Sequence, residues 1–536
     1  MSPALRALAV FGMLSAAHAR TAPTWTLART RHFEVYSQAG TAAARSALMW
    51  FEQLRTFFQQ QTGINLDRRP PVRVIAFRST SEYRPYRLHS TSDAYYVGTE
   101  SRDYIVIPML DAGEFGIAAH EYAHLIMHAG GLQLPPWLNE GLAEFFSTLR
   151  ISDGHWDLGA DLPARSQVLR RNSWMPLAQL LSLPDESRVT ENRDAAALFY
   201  AQSWKLTEML ALSPEYGRRR FQDLIAALTS GMPSLQAMTK VYAKSVNDIA
   251  EDMRVWTETR HKSTRLSASG VVAPIMAAEV STVPPLESRS LVAGLLLAIG
   301  ELDCAATFYR DLAQKSPQNP DFPAALGTIA LRRGDHDLAR TEWKRAIDHG
   351  INDPTICFRY ATLADSAGLP RNEIRLALQR AVTLKPDFDD ARYSLALLES
   401  NAGNYETAVA QLRAMRNVAP ARAYAYWSAL AYALDELGRR DESIAAAQQA
   451  IDRAATPSER SNAAQLAYIA QTDLAVQFTR DANGNAHLVT TRVPHNTADW
   501  NPFIEPGDKI RRIEGRLRDL DCNAGHATGV AVDTAQ

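Results

Sequence analysis

Three residues of this chain have the type and spacing to hold a metal ion and act on water: His120, Glu121 and His124, within HEYAH. Two histidines four apart on a helix lie one turn above each other on a single face, so both rings can reach one ion. Neutral imidazoles suit zinc, which in catalytic sites takes three protein ligands and keeps one position for water. His128, Glu140 and Glu144 are the candidates for the third ligand. Eight residues of helix set His128 roughly 12 Å from His120 along the axis, too far to share an ion, so His128 is read as a rim or packing histidine. Gly130-Gly131 ends the first helix and Pro135-Pro136 favours a fresh start at the Trp137 turn. A reversal of that length returns the second helix alongside the first, with Glu140 and Glu144 stacked on its inward face. Glu140 is assigned as the ligand, and Glu144 as the acceptor that holds a ligand histidine by its other N–H. Glu121, adjacent to a ligand, projects toward the open position and is the candidate general base.

HEYAH followed by PPWLNEGLAEFF resembles the gluzincin metallopeptidases, and within them the peptidase MA-like domains of bacterial secreted proteins. HExxH alone is weakly specific; its pairing with WLNEGLAEFF at short range is much stronger. The resemblance implies that the Glu of the Trp-x-x-Glu-Gly segment, here Glu140, is the third zinc ligand. It also implies peptide-bond hydrolysis through a zinc-activated water, with Glu121 as general base. FYAQSWKLTEML resembles the helix that follows the zinc site in such domains. Tyr200 in it matches, by type and order, a tyrosine whose hydroxyl stabilises the oxyanion in some gluzincins. No Gly-x-Met-Glu-Asn segment is present, so endopeptidase action is favoured over amino-terminal trimming.

The elements that must position these residues are legible from periodicity. Arg31 to Ser37 alternates as a strand does, and Val72 to Phe77 and Tyr104 to Pro108 read as two more. Thr41 to Gln61 is helical, with Leu48, Phe51, Leu54, Phe57 and Phe58 on one face. Strands and a helix ahead of HExxH match the small sheet of the peptidase MA fold, whose edge strand pairs with extended substrate. Two stretches are candidates for that edge, Ala94 to Gly98 and Tyr104 to Ile107. Residues 150–192 read as a surface excursion with short helices.

The chain has 536 residues, too many for one ordinary core. Lys plus Arg is 57 against 59 acids, a formal charge of −2, which argues against nucleic acid as the main partner. Residues 1–19 read as a cleavable signal peptide, with Arg6, an apolar run from Ala7 to Ala17 and an Ala17-His18-Ala19 site. A periplasmic or extracellular protein with no transmembrane anchor after cleavage is the expectation. Cys304, Cys357 and Cys522 are far apart and odd in number, and suggest neither a disulfide framework nor a cysteine zinc site.

Ser, Thr, Pro and small residues fill 263–288, which reads as a linker. Beyond it Gly300, Gly334, Gly368, Gly403 and Gly438 recur at intervals of 34 or 35 residues. That period marks tetratricopeptide repeats, paired helices that bury their faces against neighbours. Ala305, Ala339 and Ala408 hold the small position, and Tyr309, Trp343 and Leu412 the large one. The unit after Gly368 carries one extra residue, and Pro317, Pro386 and Pro420 close helices. Tyr424, Tyr426, Trp427 and Tyr432 are read as core rather than groove. FTRDANGNAHLVTTRV reads as a hairpin around Asn483-Gly484, in a solvated tail.

The expected fold class is therefore multidomain, α+β followed by all-α. Its parts are a zincin-like metallopeptidase domain at 20–262, the linker, a tetratricopeptide-repeat α-solenoid at 289–477 and a small β-rich tail at 478–536. The favoured function is a zinc peptidase acting on a protein or peptide, with a protein partner docked on the repeats. The alternative is an interaction scaffold in which the repeats work and the metallopeptidase-like domain is inactive.

Overall fold

The computed structural model describes residues 24–533 apart from 68, 89–93, 101, 111–114, 153–154, 185–191, 218, 260–262, 268–277, 481–482, 484, 495–508, 510–513 and 524–525. The expected signal peptide lies outside the described residues. Two compact units emerge, dividing between His349 and Gly350.

The first unit is built on a six-stranded sheet. Its strands are β1 (Thr26–Arg29), β2 (Phe33–Ser37), β3 (Val72–Ala76), β4 (Tyr95–Gly98), β5 (Asp103–Ile107) and β9 (Glu279–Thr282), in the order β4-β5-β3-β2-β1-β9. The pairs β2/β3 and β3/β5 are parallel; the other three are antiparallel. Helix α1 (Thr41–Thr62) makes the crossover between β2 and β3, and the five apolar residues read onto one of its faces are all buried. Strand alternation then sorts the sheet into two cores. Phe33, Val35, Val74, Ile105 and Ile107 join α1 on one face. Tyr36, Ile75, Tyr104 and Val106 face the other way. Burying each such side chain contributes about 1.5–3 kcal/mol, which fixes the register.

On the first face lie α2 (Phe115–Ala129) and α3 (Pro136–Ser147). Gly131, at φ +67°, lets Leu132 N–H reach the Met127 carbonyl and ends α2, while Pro136 opens α3. Where it is described, the 150–192 stretch is more ordered than expected. It contains β6 (Arg150–Ser152), β7 (His155–Leu158) and α4 (Pro163–Arg171), and it buries Trp156, Leu158, Leu169 and Leu180. Helix α5 (Arg193–Leu212) follows, then α6 (Arg219–Thr229), α7 (Ser234–Tyr242) and α8 (Val246–Glu258).

The stretch expected as a linker is structured where it is described. Strand β8 (Thr264–Ser267) pairs with β7, and β9 pairs with β1 at the far edge of the main sheet. Each is only four residues long, too short to show period-2 alternation against a Ser/Thr/Pro background. The first repeat helix, α9 (Pro285–Ala298), starts earlier than expected and packs Leu291 and Leu295 among Trp25, Tyr83 and Tyr95. After it come α10 (Leu302–Lys315), α11 (Asp321–Arg332) and α12 (His336–Asp348). Gly300 and Gly334 take φ of +83° and +77°, the left-handed turn that joins paired helices. Ala305, Tyr309, Ala339 and Trp343 are buried. These helical pairs are of the tetratricopeptide kind.

The second unit continues with α13 (Pro354–Ser366), α14 (Arg371–Leu384), α15 (Asp389–Ser400), α16 (Tyr405–Arg413), α17 (Ala423–Glu436), α18 (Arg440–Arg453) and α19 (Pro457–Gln471). The extra residue after Gly368 moves the buried positions to Ile374 and Leu378, one place later than in the other units. Pro420 opens a 3-10 turn ahead of α17 rather than closing a helix. Of the aromatic group, Tyr426 is buried and Trp427 packs against the same core, but Tyr432 is 42% exposed.

The β-rich tail begins at Thr472, directly after α19, six residues before the expected boundary at 478. Strands β10 (Thr472–Arg480) and β11 (Ala486–Pro494) form the expected antiparallel hairpin. Asn483 lies in its connection, and Gly484 is outside the described residues. A second hairpin joins β12 (Arg516–Asn523) to β13 (His526–Asp533). The tail is less uniformly polar than expected, with Leu474, Val476 and Leu488 at least half exposed. No described helix is long and apolar enough to cross a membrane.

Candidate metal centre

Helices α2 and α3 run side by side, so that HEYAH faces WLNEG. His120 Nε2 and His124 Nε2 lie 3.2 Å apart. Glu140 offers Oε2 to His120 at 3.5 Å and Oε1 to His124 at 3.4 Å. A tetrahedral zinc ion with ligands about 2.0–2.1 Å away has its ligand atoms about 3.3–3.4 Å apart. The two imidazole nitrogens and the Glu140 carboxylate, one oxygen toward each ring, are therefore near enough to surround one ion of that size. The donor set fits zinc by distance and by chemistry, and these are the three residues that the sequence selects.

The electrostatics agree. Burial pushes the Glu140 carboxyl up, but charge on His124 and hydrogen bonds from both histidines outweigh it and hold it well below the usual carboxylate range. Burial disfavours the charged imidazole of His120, yet its bond to Glu140 and the nearby Glu121 and Glu144 carboxylates raise its pKa. Glu121 is raised chiefly by burial, against the pull of His120 and His124 and of a hydrogen bond from the Tyr96 backbone N–H. A buried carboxyl held up in this way, beside two candidate ligand histidines, has the character needed to take and give a proton.

The order of strands identifies the edge. Strand β4 is the end of the sheet and β5 is paired on both sides, which decides between the two candidates. Thr99 N–H bonds the Arg102 carbonyl across the β4–β5 turn. Antiparallel alternation then directs the backbone of Tyr95 and Val97 toward β5, and that of Tyr96 and Gly98 to the free side. His128 stands beside this edge, not among the metal donors. Its Nδ1 is 2.8 Å from the Tyr96 hydroxyl, which also donates to Asp103 at 2.7 Å, and Asp103 pairs with Arg69 at 3.0 Å.

Glu144 differs in detail from expectation. His120 Nδ1 is its nearest ligand nitrogen, but at 3.8 Å the contact exceeds a hydrogen bond. Both of its oxygens are instead taken by Arg165 of α4, at 3.1 and 2.5 Å. The same guanidinium lies 5.2 Å from the centre of the Tyr200 ring. Tyr200 thus stands against the group that touches Glu144. Sequence reasoning missed Arg165, because an arginine in a surface excursion carries no motif.

Gly141 explains the glycine of the WLNEG segment. A Cβ there would meet Thr207 Oγ1 at 2.1 Å and the Ser203 carbonyl at 2.5 Å, so α3 and α5 approach closely only at glycine. Trp137 anchors the start of α3 through a 3.1 Å bond from Nε1 to Ser234 Oγ.

No protein-family model matches the chain, and no curated protein matches it. Solved structures that match include YrrB, titled a TPR protein with an unusual peptide-binding site. It is 18% identical, covers 33% of this chain and 90% of its own, and has a TM-score of 0.29. MamA from Desulfovibrio magneticus RS-1 is 21% identical over 30% of this chain and 90% of its own, with a TM-score of 0.22. PilF of Pseudomonas aeruginosa is 15% identical over 34% of this chain and 88% of its own, with a TM-score of 0.25. At such TM-scores the likeness carries no weight for this chain, and the repeat assignment stands on its own glycine turns and buried positions.

Proposed function

We propose that this protein is a zinc-dependent peptidase, secreted or periplasmic, with a repeat array that binds a protein substrate or partner. The observation that supports this most directly is the trio His120, His124 and Glu140, with three donor separations of 3.2, 3.4 and 3.5 Å. Zinc bound there would bring the pKa of a bound water toward neutrality and polarise a peptide carbonyl. Strand β4 offers the outward backbone groups of Tyr96 and Gly98 to an extended peptide, which holds the scissile bond across α2. Glu121 accepts the proton of the attacking water and returns it to the leaving amine. Tyr200 is the candidate donor to the carbonyl oxygen as charge develops there. With no segment dedicated to capturing an amino terminus, internal peptide bonds are the favoured substrates.

The scaffold reading shares the repeats and differs at Glu121. A structural metal site needs the ligands but not that carboxylate, and Glu121 is buried at some cost beside them. The test is metal content and turnover on the chain purified without added zinc. About one zinc per chain is expected, lost in Glu140→Ala and retained in Glu121→Gln. Hydrolysis of an unfolded protein should fall about 10²–10⁴-fold in Glu121→Gln. Zinc without any hydrolysis by the unsubstituted chain would leave the scaffold.

A further inference from the structure

The same corner of the fold carries one residue that no motif marks. Arg165 is the third residue of α4, a helix pinned by buried Leu169 and Ser166 and by a 2.9 Å bond from Trp174 Nε1 to the Leu169 carbonyl. From there its guanidinium reaches both oxygens of Glu144 and lies over Tyr200. We propose that Arg165 is a positioning residue for the metal centre, holding Glu144 against His120 and the Tyr200 ring beside it. This rests on the zinc reading above.

Glu144 is 5% exposed, and on the side away from Arg165 its carboxylate faces His120 Nδ1 at 3.8 Å. A buried carboxylate stripped of its ion-pair partner is strongly unfavourable, so without Arg165 Glu144 would turn away or draw in water. Either movement withdraws the anion that faces the far nitrogen of a ligand histidine, and ring orientation at a metal is set by that nitrogen's partner. Arginine suits the task because one planar fork can bind a carboxylate through two N–H groups while its face stacks on an aromatic ring. A lysine offers a point charge and cannot do both. The guanidinium–ring distance of 5.2 Å is within the roughly 6 Å over which such a contact counts. Arg165 therefore ties three helices, α3, α4 and α5, to one geometry around His120.

The experiment uses the full chain loaded with zinc or with cobalt(II). Zinc release to a chelator gives the dissociation rate, the visible bands of cobalt(II) report ligand geometry, and thermal unfolding is followed in parallel. In Arg165→Ala, zinc affinity should drop about 10–100-fold, as for other groups that orient ligands, with shifted cobalt bands. Glu144→Ala should do the same. The double variant should be no worse than Glu144→Ala alone, because Arg165 acts through that carboxylate. Arg165→Lys should recover the unfolding temperature more fully than the cobalt bands. Unchanged release in Arg165→Ala, or a double variant in which the two losses multiply, overturns the proposal while leaving the zinc reading intact. If Arg165→Ala does not fold, Arg165→Lys with wild-type bands and release overturns it equally. An unsubstituted chain that holds no metal removes the zinc reading and the proposal with it.

Discussion

Two helical hairpins of the first unit are alike in outline and opposite in content. In α11–α12 the contact is apolar: Trp343 lies against Gly327, and its Nε1 donates to the Ala324 carbonyl at 3.1 Å. In α2–α3 the buried side chains include Glu121, Glu140 and Glu144, each at 5–6% exposure, beside the partly buried His120 and His124. Taking a carboxylate out of water costs several kcal/mol unless partners repay it. Nothing in the packing of two helices requires that expense, since α11–α12 does without it. The difference sets the α2–α3 hairpin apart as the candidate site, because three carboxylates are buried together there beside two histidines.

The comparison breaks first at Trp343. Trp343→Ala should lose about 3–5 kcal/mol of stability, seen in thermal or denaturant unfolding, because it empties the contact with Gly327. Zinc bound by the folded fraction should be unchanged. Loss of zinc at temperatures where the variant remains folded would show that the apolar hairpin shapes the site after all.

Gly141→Ala tests the charged hairpin from its other side. A Cβ would collide with the Ser203 carbonyl, which is backbone and cannot swing away, so α3 must move from α5. About 1–3 kcal/mol of destabilisation is expected. Here, unlike at Trp343, zinc content should fall as well, because Glu140 is the preceding residue on the displaced helix. Gly327→Ala is the matching control, since its clash with Trp343 should cost stability and spare the metal.

These contrasts also explain what sequence could reveal. HEYAH and WLNEG stand out because the ligation they suggest asks for these residue types at helical spacing, and the structure brings His120, His124 and Glu140 together within 3.5 Å. The repeats declare themselves through glycines that must take positive φ at each turn. Arg165 was invisible because its role arises only when α4 folds back on α3, a contact across 21 residues without a pattern. The partners of His128 were invisible for the same reason, because Tyr96 and Asp103 belong to two strands whose pairing sequence does not record. Strands β8 and β9 were hidden by their brevity. The edge strand was narrowed to two candidates and no further, since strand order is a tertiary fact.

The smallest expected effect concerns that edge, where the proposed reading seats the substrate. A Cβ on Gly98 would come to 2.5 Å from the Tyr96 hydroxyl and 3.0 Å from His128 Cε1. Both neighbours are side-chain ends, so Gly98→Ala should fold, giving up the Tyr96 bonds to Asp103 and His128. Each such hydrogen bond contributes about 0.5–1.5 kcal/mol, so a modest drop in unfolding temperature is expected. Zinc content should not change, because α2 and α3 are untouched. If β4 pairs with extended peptide, the displaced strand should raise KM for an unfolded protein substrate more than it lowers kcat, the signature of lost uniform binding. A fall in kcat at unchanged KM would place the displaced strand in the chemical step rather than in peptide binding.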